Sequence, residues 1–163
     1  MRSYIVQISA SPIPMHEVIS PYDYCDEHWF NREVADFISF NDCTEDAFAD
    51  FVKRVGDAEK YVTMFPNVYG TGIVFKKGFK EAYFDEQYVK LRDAIQKLSD
   101  AATATTFRDG ELEAAMYILR ESYDDKLGVY VESDWGLLTL NEFVRHIAEE
   151  VPYYFGGAVG YHY

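Results

Sequence analysis

Gly128-Val129-Tyr130-Val131-Glu132-Ser133-Asp134-Trp135-Gly136-Leu137-Leu138-Thr139-Leu140-Asn141-Glu142 places two strands and a helix start end to end. The strand-forming runs 128–132 and 136–138 flank the turn-forming Ser133-Asp134-Trp135, so the spacing predicts a hairpin. Thr139-Leu140-Asn141-Glu142 follows as a capping box, T-x-x-E, ahead of Phe143, Val144 and Ile147. A hairpin that runs straight into a helix belongs to an antiparallel or mixed sheet. No glycine-rich strand-to-helix turn supports a doubly wound nucleotide fold.

Downstream, Pro152 to Tyr163 reads as a final strand, with Tyr153, Phe155, Val159 and Tyr161 expected on one face under a helix. Gly156, Gly157 and Gly160 lie inside it with no helix after them. They therefore read as close packing or a bulge rather than a phosphate loop. Upstream, Phe79 to Leu98 carries Phe84, Tyr88, Leu91, Ile95 and Leu98 four and three apart, a continuous apolar stripe expected to pack on a sheet. Asp109-Gly110 is expected to open a second helix with Leu112, Ala115, Met116, Leu119 and Tyr123 inward.

Residues 60–65 and 71–76 read as strands joined by a turn, and Thr44 can cap a helix with Ala47, Phe48, Phe51, Val52 and Val55 on one face that Gly56 can stop. Asn31 reads as the N-cap of a short helix using Val34, Phe37 and Ile38. Residues 9–27, with Pro12, Pro14 and Pro21, read as a loop, and Ser3 to Ile8 alternates as a strand. The expectation is therefore α+β over 1–163: a single globular domain whose antiparallel or mixed sheet of about five to six strands carries helices mainly on one face.

The charge is -13 over 163 residues, yet 17% of the chain is aromatic, with 14 tyrosines. Disordered acidic chains lack aromatics, so this chain is expected to fold. Residues 1–80 hold 12 acids against 8 bases, and residues 81–163 hold 16 against 7, so the excess is -4 in the first part and -9 in the second. This balance argues against direct nucleic-acid binding and against an anionic membrane surface, because like charges repel; a basic protein partner is the electrostatic match. No stretch approaches ~18 consecutive apolar residues. The first residues lack the pattern of a signal peptide, and two cysteines are too few for a disulfide framework. A cytoplasmic location is expected.

Candidate chemistry is thin. Cys25-Asp26-Glu27-His28, with Cys43 and His16 farther off, offers one C-x-x-H and no second close pair, so no metal is expected. Glu142, His146 and Glu150 fall four apart and are expected on one helix face, an arrangement a solvated polar face also explains. No catalytic residue is assigned and no cofactor is expected. The expected contact residues are instead acidic and aromatic. Asp42, Glu45, Asp46 and Asp50 form an acidic stripe at helical spacing. Glu81 and Asp85, and Asp124 and Asp125, are poorly compensated. Tyr22, Asp23, Tyr24, Asp26, Glu27 and Trp29 mix interface-type aromatics with acids. That loop either touches a partner or packs its aromatics back onto the core.

In size and acidity the chain is similar to the small antirestriction and anti-CRISPR proteins of mobile elements, some of which imitate the charge of nucleic acid. The likeness is compositional and transfers no residue. It implies a non-enzymatic inhibitor or decoy that occupies the basic groove of a nucleic-acid-binding enzyme. The alternatives are an immunity-type protein neutralising a basic toxin and a small enzyme with an acidic pocket.

Overall fold

A computed structural model describes residues 2–25, 28–40, 44–67, 70–124 and 128–163. In chain order the elements are β1 (Arg2–Ser9), α1 (Trp29–Glu33), β2 (Phe37–Ser39), α2 (Thr44–Arg54), β3 (Val62–Asn67), β4 (Gly70–Phe75), α3 (Phe79–Ala101), α4 (Ala104–Asp109), α5 (Glu113–Asp124), β5 (Tyr130–Ser133), β6 (Gly136–Thr139), α6 (Leu140–His146) and β7 (Pro152–His162). The strands form one mixed seven-stranded sheet in the order β3-β4-β7-β1-β5-β6, with β2 also on β7. Among the described residues, only β1 and β5 pair in parallel. The α+β class holds, as do the hairpin around Asp134 and the Thr139/Glu142 capping box.

The sheet has one strand more than expected, and it comes from a segment read as helix. α1 starts at His28, whose ring Nδ1 accepts the Phe30 N–H at 3.2 Å, and not at Asn31. The amides of both Val34 and Ala35 donate to the Phe30 carbonyl, which closes the helix. Asp36 N–H then donates to the His162 carbonyl at 2.8 Å, and 37–39 continue along β7 with Phe37 outward and Ile38 inward. The loop over 9–27 also gains short 3-10 turns at Met15–Glu17 and Pro21–Tyr24.

The strand β7 overturns the single-face reading. Val6 stands opposite Ala158 but Ile8 stands opposite Phe155, so three residues of β7 span two of β1. This bulge flips the side-chain alternation. Tyr153 and Phe155 join the core on one face, with Val6, Ile8 and Phe75. Val159 and Tyr161 join the core on the other, with Ile5, Tyr24, Phe30 and Tyr130. The bulge also explains the glycines. Gly157 N–H donates to the Gln7 Oε1 at 3.2 Å, and the same oxygen accepts the Ile19 N–H at 3.1 Å, while Gln7 Nε2 donates to the Glu17 carbonyl at 2.9 Å. A Cβ at Gly157 would sit 2.9 Å from the Ile19 carbonyl oxygen, and one at Gly156 would strike the Gln7 side chain.

Helices lie mainly on one face. α2 buries Ala47 and Phe51 there, α3 buries Phe79 and Tyr83, and α6 buries Leu140, Phe143 and Val144. The other face takes α1 and the 3-10 turn that carries Tyr24. The apolar stripe of α3 does not sit on the sheet as expected. Phe79 and Tyr83 are buried, but Tyr88 is 62% and Ile95 51% exposed, and no residue of α3 after Phe84 belongs to the main core. From there α3 runs beside α5 instead. Gly110 does not open α5: it adopts a left-handed φ of 75° and ends α4. The expected inward row of α5 is likewise partly outward, with Met116 at 58% and Tyr123 at 63% exposure.

The expected Glu142–His146–Glu150 face is absent because α6 ends at His146. Glu150 takes a positive φ of 66° beyond it. Its carboxylate accepts the Lys77 N–H, and the Glu149 carboxylate accepts the N–H groups of Lys80 at 2.8 Å and Gly78 at 3.2 Å. These two acids satisfy amides that the start of α3 leaves open, where its own N-cap, Gly78, has no side chain to do so.

Candidate functional site

The geometry that best matches the acidic character is a groove of about 500 Å³ between α3 and the 3-10 helix Gly56–Tyr61. Its walls carry Asp57, Lys60 and Tyr61 on one side and Glu81, Asp85 and Glu86 on the other. With Glu86 paired to Lys90, three further carboxylates, Asp57, Glu81 and Asp85, line the groove with one ammonium, and that Lys60 ammonium leans over the Tyr61 ring, 5.3 Å from its centroid. A cleft lined by one sign of charge concentrates potential and raises the local density of the opposite sign.

Glu86 fastens the two walls. One carboxylate oxygen pairs with Lys90 Nζ at 2.7 Å, and the other accepts the Asp57 N–H at 2.8 Å. The Lys90 ammonium first, and then the Asp57 amide, hold the Glu86 carboxyl below the usual carboxylate range. The bond to Asp57 depends on Gly56, whose φ of 59° is left-handed and whose Cβ, if present, would run into the Glu86 carboxylate.

Two of the sequence-predicted contact residues, Glu81 and Asp85, line this groove. Their neighbours Asp57 and Tyr61 are not legible as part of the site in the sequence, because they lie twenty or more positions away. The one pointer to them was the Gly56 stop signal. Glu45 and Asp46 are exposed on the first turn of α2, while Asp50 is tied to Arg54 at 3.3 Å. Asp124 is the last residue of α5. Asp26, Glu27, Asp42 and Asp125 lie outside the described residues.

The aromatic loop divides between the two readings offered for it. Tyr22 is 79% exposed and meets the exposed Phe40 edge-on at 5.2 Å, and Trp29 is also exposed. Tyr24 turns inward and is buried. Asp23 is a local cap, its carboxylate accepting the N–H and hydroxyl of Ser20 at 2.6 and 3.0 Å. This loop belongs to the opposite face of the sheet from the acidic groove, since Tyr24 and Ala58 sit in different cores. Among the described residues, the aromatic loop and the wall carrying Glu81 and Asp85 therefore lie on different faces.

Beneath the loop, the Tyr24 hydroxyl donates to Glu132 Oε2 at 2.9 Å. Burial, then the neighbouring Glu132 charge, push the Tyr24 hydroxyl well above the ordinary tyrosine range. Burial also raises Glu132, against the lowering effects of the Tyr24 hydrogen bond and of His28. Glu132 borders a polar crevice of about 280 Å³ at the ends of the parallel pair β1 and β5, with Gln7, Ser9, Glu17 and Asp134. Asp134 is already engaged by the Ser9 hydroxyl at 2.8 Å and the Ala10 N–H at 2.9 Å.

Among the described residues, no three His, Cys, Asp or Glu side chains gather as metal ligands. Cys25 Sγ donates to the Pro21 carbonyl and His28 caps α1, while Cys43 lies outside the described residues. No described helix is long and apolar enough to cross a membrane. Compared with known proteins, the chain matches no family model, no curated protein and no solved structure.

Proposed function

We propose that this protein is a non-catalytic binding protein that engages a basic macromolecular partner through the groove formed by Asp57, Tyr61, Glu81 and Asp85. Its role is that of an inhibitor or decoy of a nucleic-acid-binding enzyme. The observation that carries this reading is the convergence of Asp57, Glu81 and Asp85 on a preformed groove beside Tyr61, in a chain of net charge -13. Such a site steers a basic partner toward it, and a tyrosine at its wall supplies contact area at little entropic cost. The exposed aromatics Tyr22 and Trp29, on the other face, make a separate surface that this contact does not use.

The test is affinity capture from cells that make the protein, followed by association kinetics with the recovered partner at two salt concentrations. Electrostatic steering predicts association that slows as salt rises, because screening removes the long-range attraction. Glu81→Lys with Asp85→Lys slows association more than it hastens dissociation. Binding indifferent to salt and to both substitutions overturns the reading, and the acidity is then a device for solubility. A nucleic-acid-binding enzyme as partner supports the decoy role, whereas a toxin replaces it with the immunity role. Failure to recover a basic partner, together with loss of an enzymatic activity in Glu132→Gln, favours the small-enzyme alternative.

A further inference from the structure

Where α3, α5 and α6 meet, they leave a groove of about 240 Å³. Phe84, Tyr88 and Leu91 of α3 and Tyr123 of α5 make its apolar walls, and α6 contributes Asn141 and Arg145.

Asn141 is only 6% exposed, and its amide nitrogen is poorly satisfied. Its Oδ1 accepts the Tyr83 hydroxyl at 2.8 Å. Its Nδ2 carries two N–H donors and meets one acceptor, the Tyr123 carbonyl, at a long 3.4 Å. A buried donor left without a good acceptor carries an unmet desolvation cost, which a ligand oxygen relieves. Arg145 stands beside it with its guanidinium over the Phe84 ring, 5.7 Å from the centroid, and it forms no ion pair among the described residues. Asn141 and Arg145 are four apart on α6, so they share one face and one acceptor group can take both.

Charge sets this groove apart. The acidic groove carries Asp57, Glu81 and Asp85, the polar crevice Glu17, Glu132 and Asp134, and a second cleft between α3 and α5 Asp93 and Glu121. No carboxylate lines the groove at Arg145. The nearest acids in sequence are occupied elsewhere: Glu142 accepts the Thr139 N–H and hydroxyl, and Asp85 lines the acidic groove.

We propose that this groove binds a small aromatic monocarboxylate, its ring between the side chains of Phe84, Tyr88 and Tyr123 and its carboxylate on Arg145 and the Asn141 Nδ2. A cavity of ~150 Å³ takes benzene, so about 240 Å³ suits one ring with a carboxylate arm. A guanidinium matches a carboxylate in a planar, two-bond fit. Apolar walls with a few converging polar groups are the usual make-up of a small-molecule site. The site is separate from the acidic groove and takes a ligand of the opposite charge.

The experiment is a heteronuclear NMR titration of the full chain with phenylacetate, repeated with benzylamine, which keeps the ring and reverses the charge, and with acetate, which lacks the ring. It is repeated for Arg145→Met and Tyr88→Ala, with far-UV circular dichroism to verify that each variant is folded. Both positions are exposed, so the substitutions leave the fold in place. Phenylacetate is expected to saturate with a dissociation constant of about 1 mM or below, the range of a fragment-sized ligand, and to shift the amides around Phe84, Tyr123 and Asn141. Benzylamine and acetate are expected to bind at least about tenfold more weakly. Arg145→Met is expected to raise the dissociation constant at least about tenfold, as for loss of a charged hydrogen bond, and Tyr88→Ala roughly two- to tenfold, as for loss of a ring contact. Phenylacetate that fails to saturate overturns the proposal, as does benzylamine or acetate binding equally well, or a folded Arg145→Met variant that binds as the parent does.

Discussion

Gln7 shows how much of this fold hangs on a single polar side chain. Its amide oxygen takes the N–H groups of Gly157 and Ile19, and its amide nitrogen binds the Glu17 carbonyl. One residue thereby satisfies the bulge of β7 and pins the segment that crosses it. Leucine matches the shape of Gln7 but leaves these groups unpaired. Gln7→Leu is expected to cost about 1 kcal/mol in urea unfolding, the low end of the penalty for stranded polar groups because these are only partly buried. A loss within ~0.5 kcal/mol, typical of a surface change, would show that water replaces the amide at no cost.

Glu132 carries a pH signature opposite in sign to that of Glu86. Its folded pKa lies above its ordinary value, so the native state keeps a proton that the unfolded chain has lost. Its contribution is most favourable below the ordinary glutamate value of about 4.3. That contribution falls as pH rises through the raised folded value. Glutamine at this position still accepts the Tyr24 hydrogen bond and carries no charge to desolvate. The stability of Glu132→Gln relative to the parent protein is therefore expected to increase with pH across that window. Unfolding curves at several pH values check this, and a difference that stays flat would show that the carboxylate is not desolvated.

At the scale of elements, α3 divides into two halves with different roles. Its first turns bury Phe79 and Tyr83 in the main core and receive Glu149 on the Lys80 amide, while Glu150 takes the Lys77 amide just ahead of the helix. The later turns contact α5 and solvent. Phe79→Ala is expected to cost about 3–5 kcal/mol, as for a buried aromatic. Leu91→Ala, at a half-buried position, is expected to cost roughly 1 kcal/mol. Urea unfolding of the two variants decides it, and equal losses would mean that the distal half is as well packed as the proximal one. The helix itself was legible from its four-three spacing, because periodicity reports which residues share a face. Which element that face meets depends on residues far away in the chain. The same holds for α6: its capping box was readable from four consecutive residues, while its end at His146 follows from the turn that carries Glu149 back to α3.

At the scale of the whole molecule, the sequence by itself determined the α+β class, the two hairpins, the start of the long helix α3 and the strong net negative charge. Each of these rests on local spacing or on composition, which survive without knowledge of the partner element. Tertiary structure alone decided the rest. The bulge in β7 flips Val159 and Tyr161 to the second core, because one extra residue reverses a period of two; Gly156 and Gly157 mark the place, but the register against β1 decides that the faces swap. The strand β2 forms because β7 offers an open edge at 160–162, against the helical reading of Phe37 and Ile38. The acidic groove exists because Glu86 reaches the Asp57 amide, bringing Glu81 and Asp85 beside residues that sequence distance had kept apart. Charge is additive along a chain and can be counted, but a site is a convergence in space, set by packing and long-range hydrogen bonds that only the folded chain brings together.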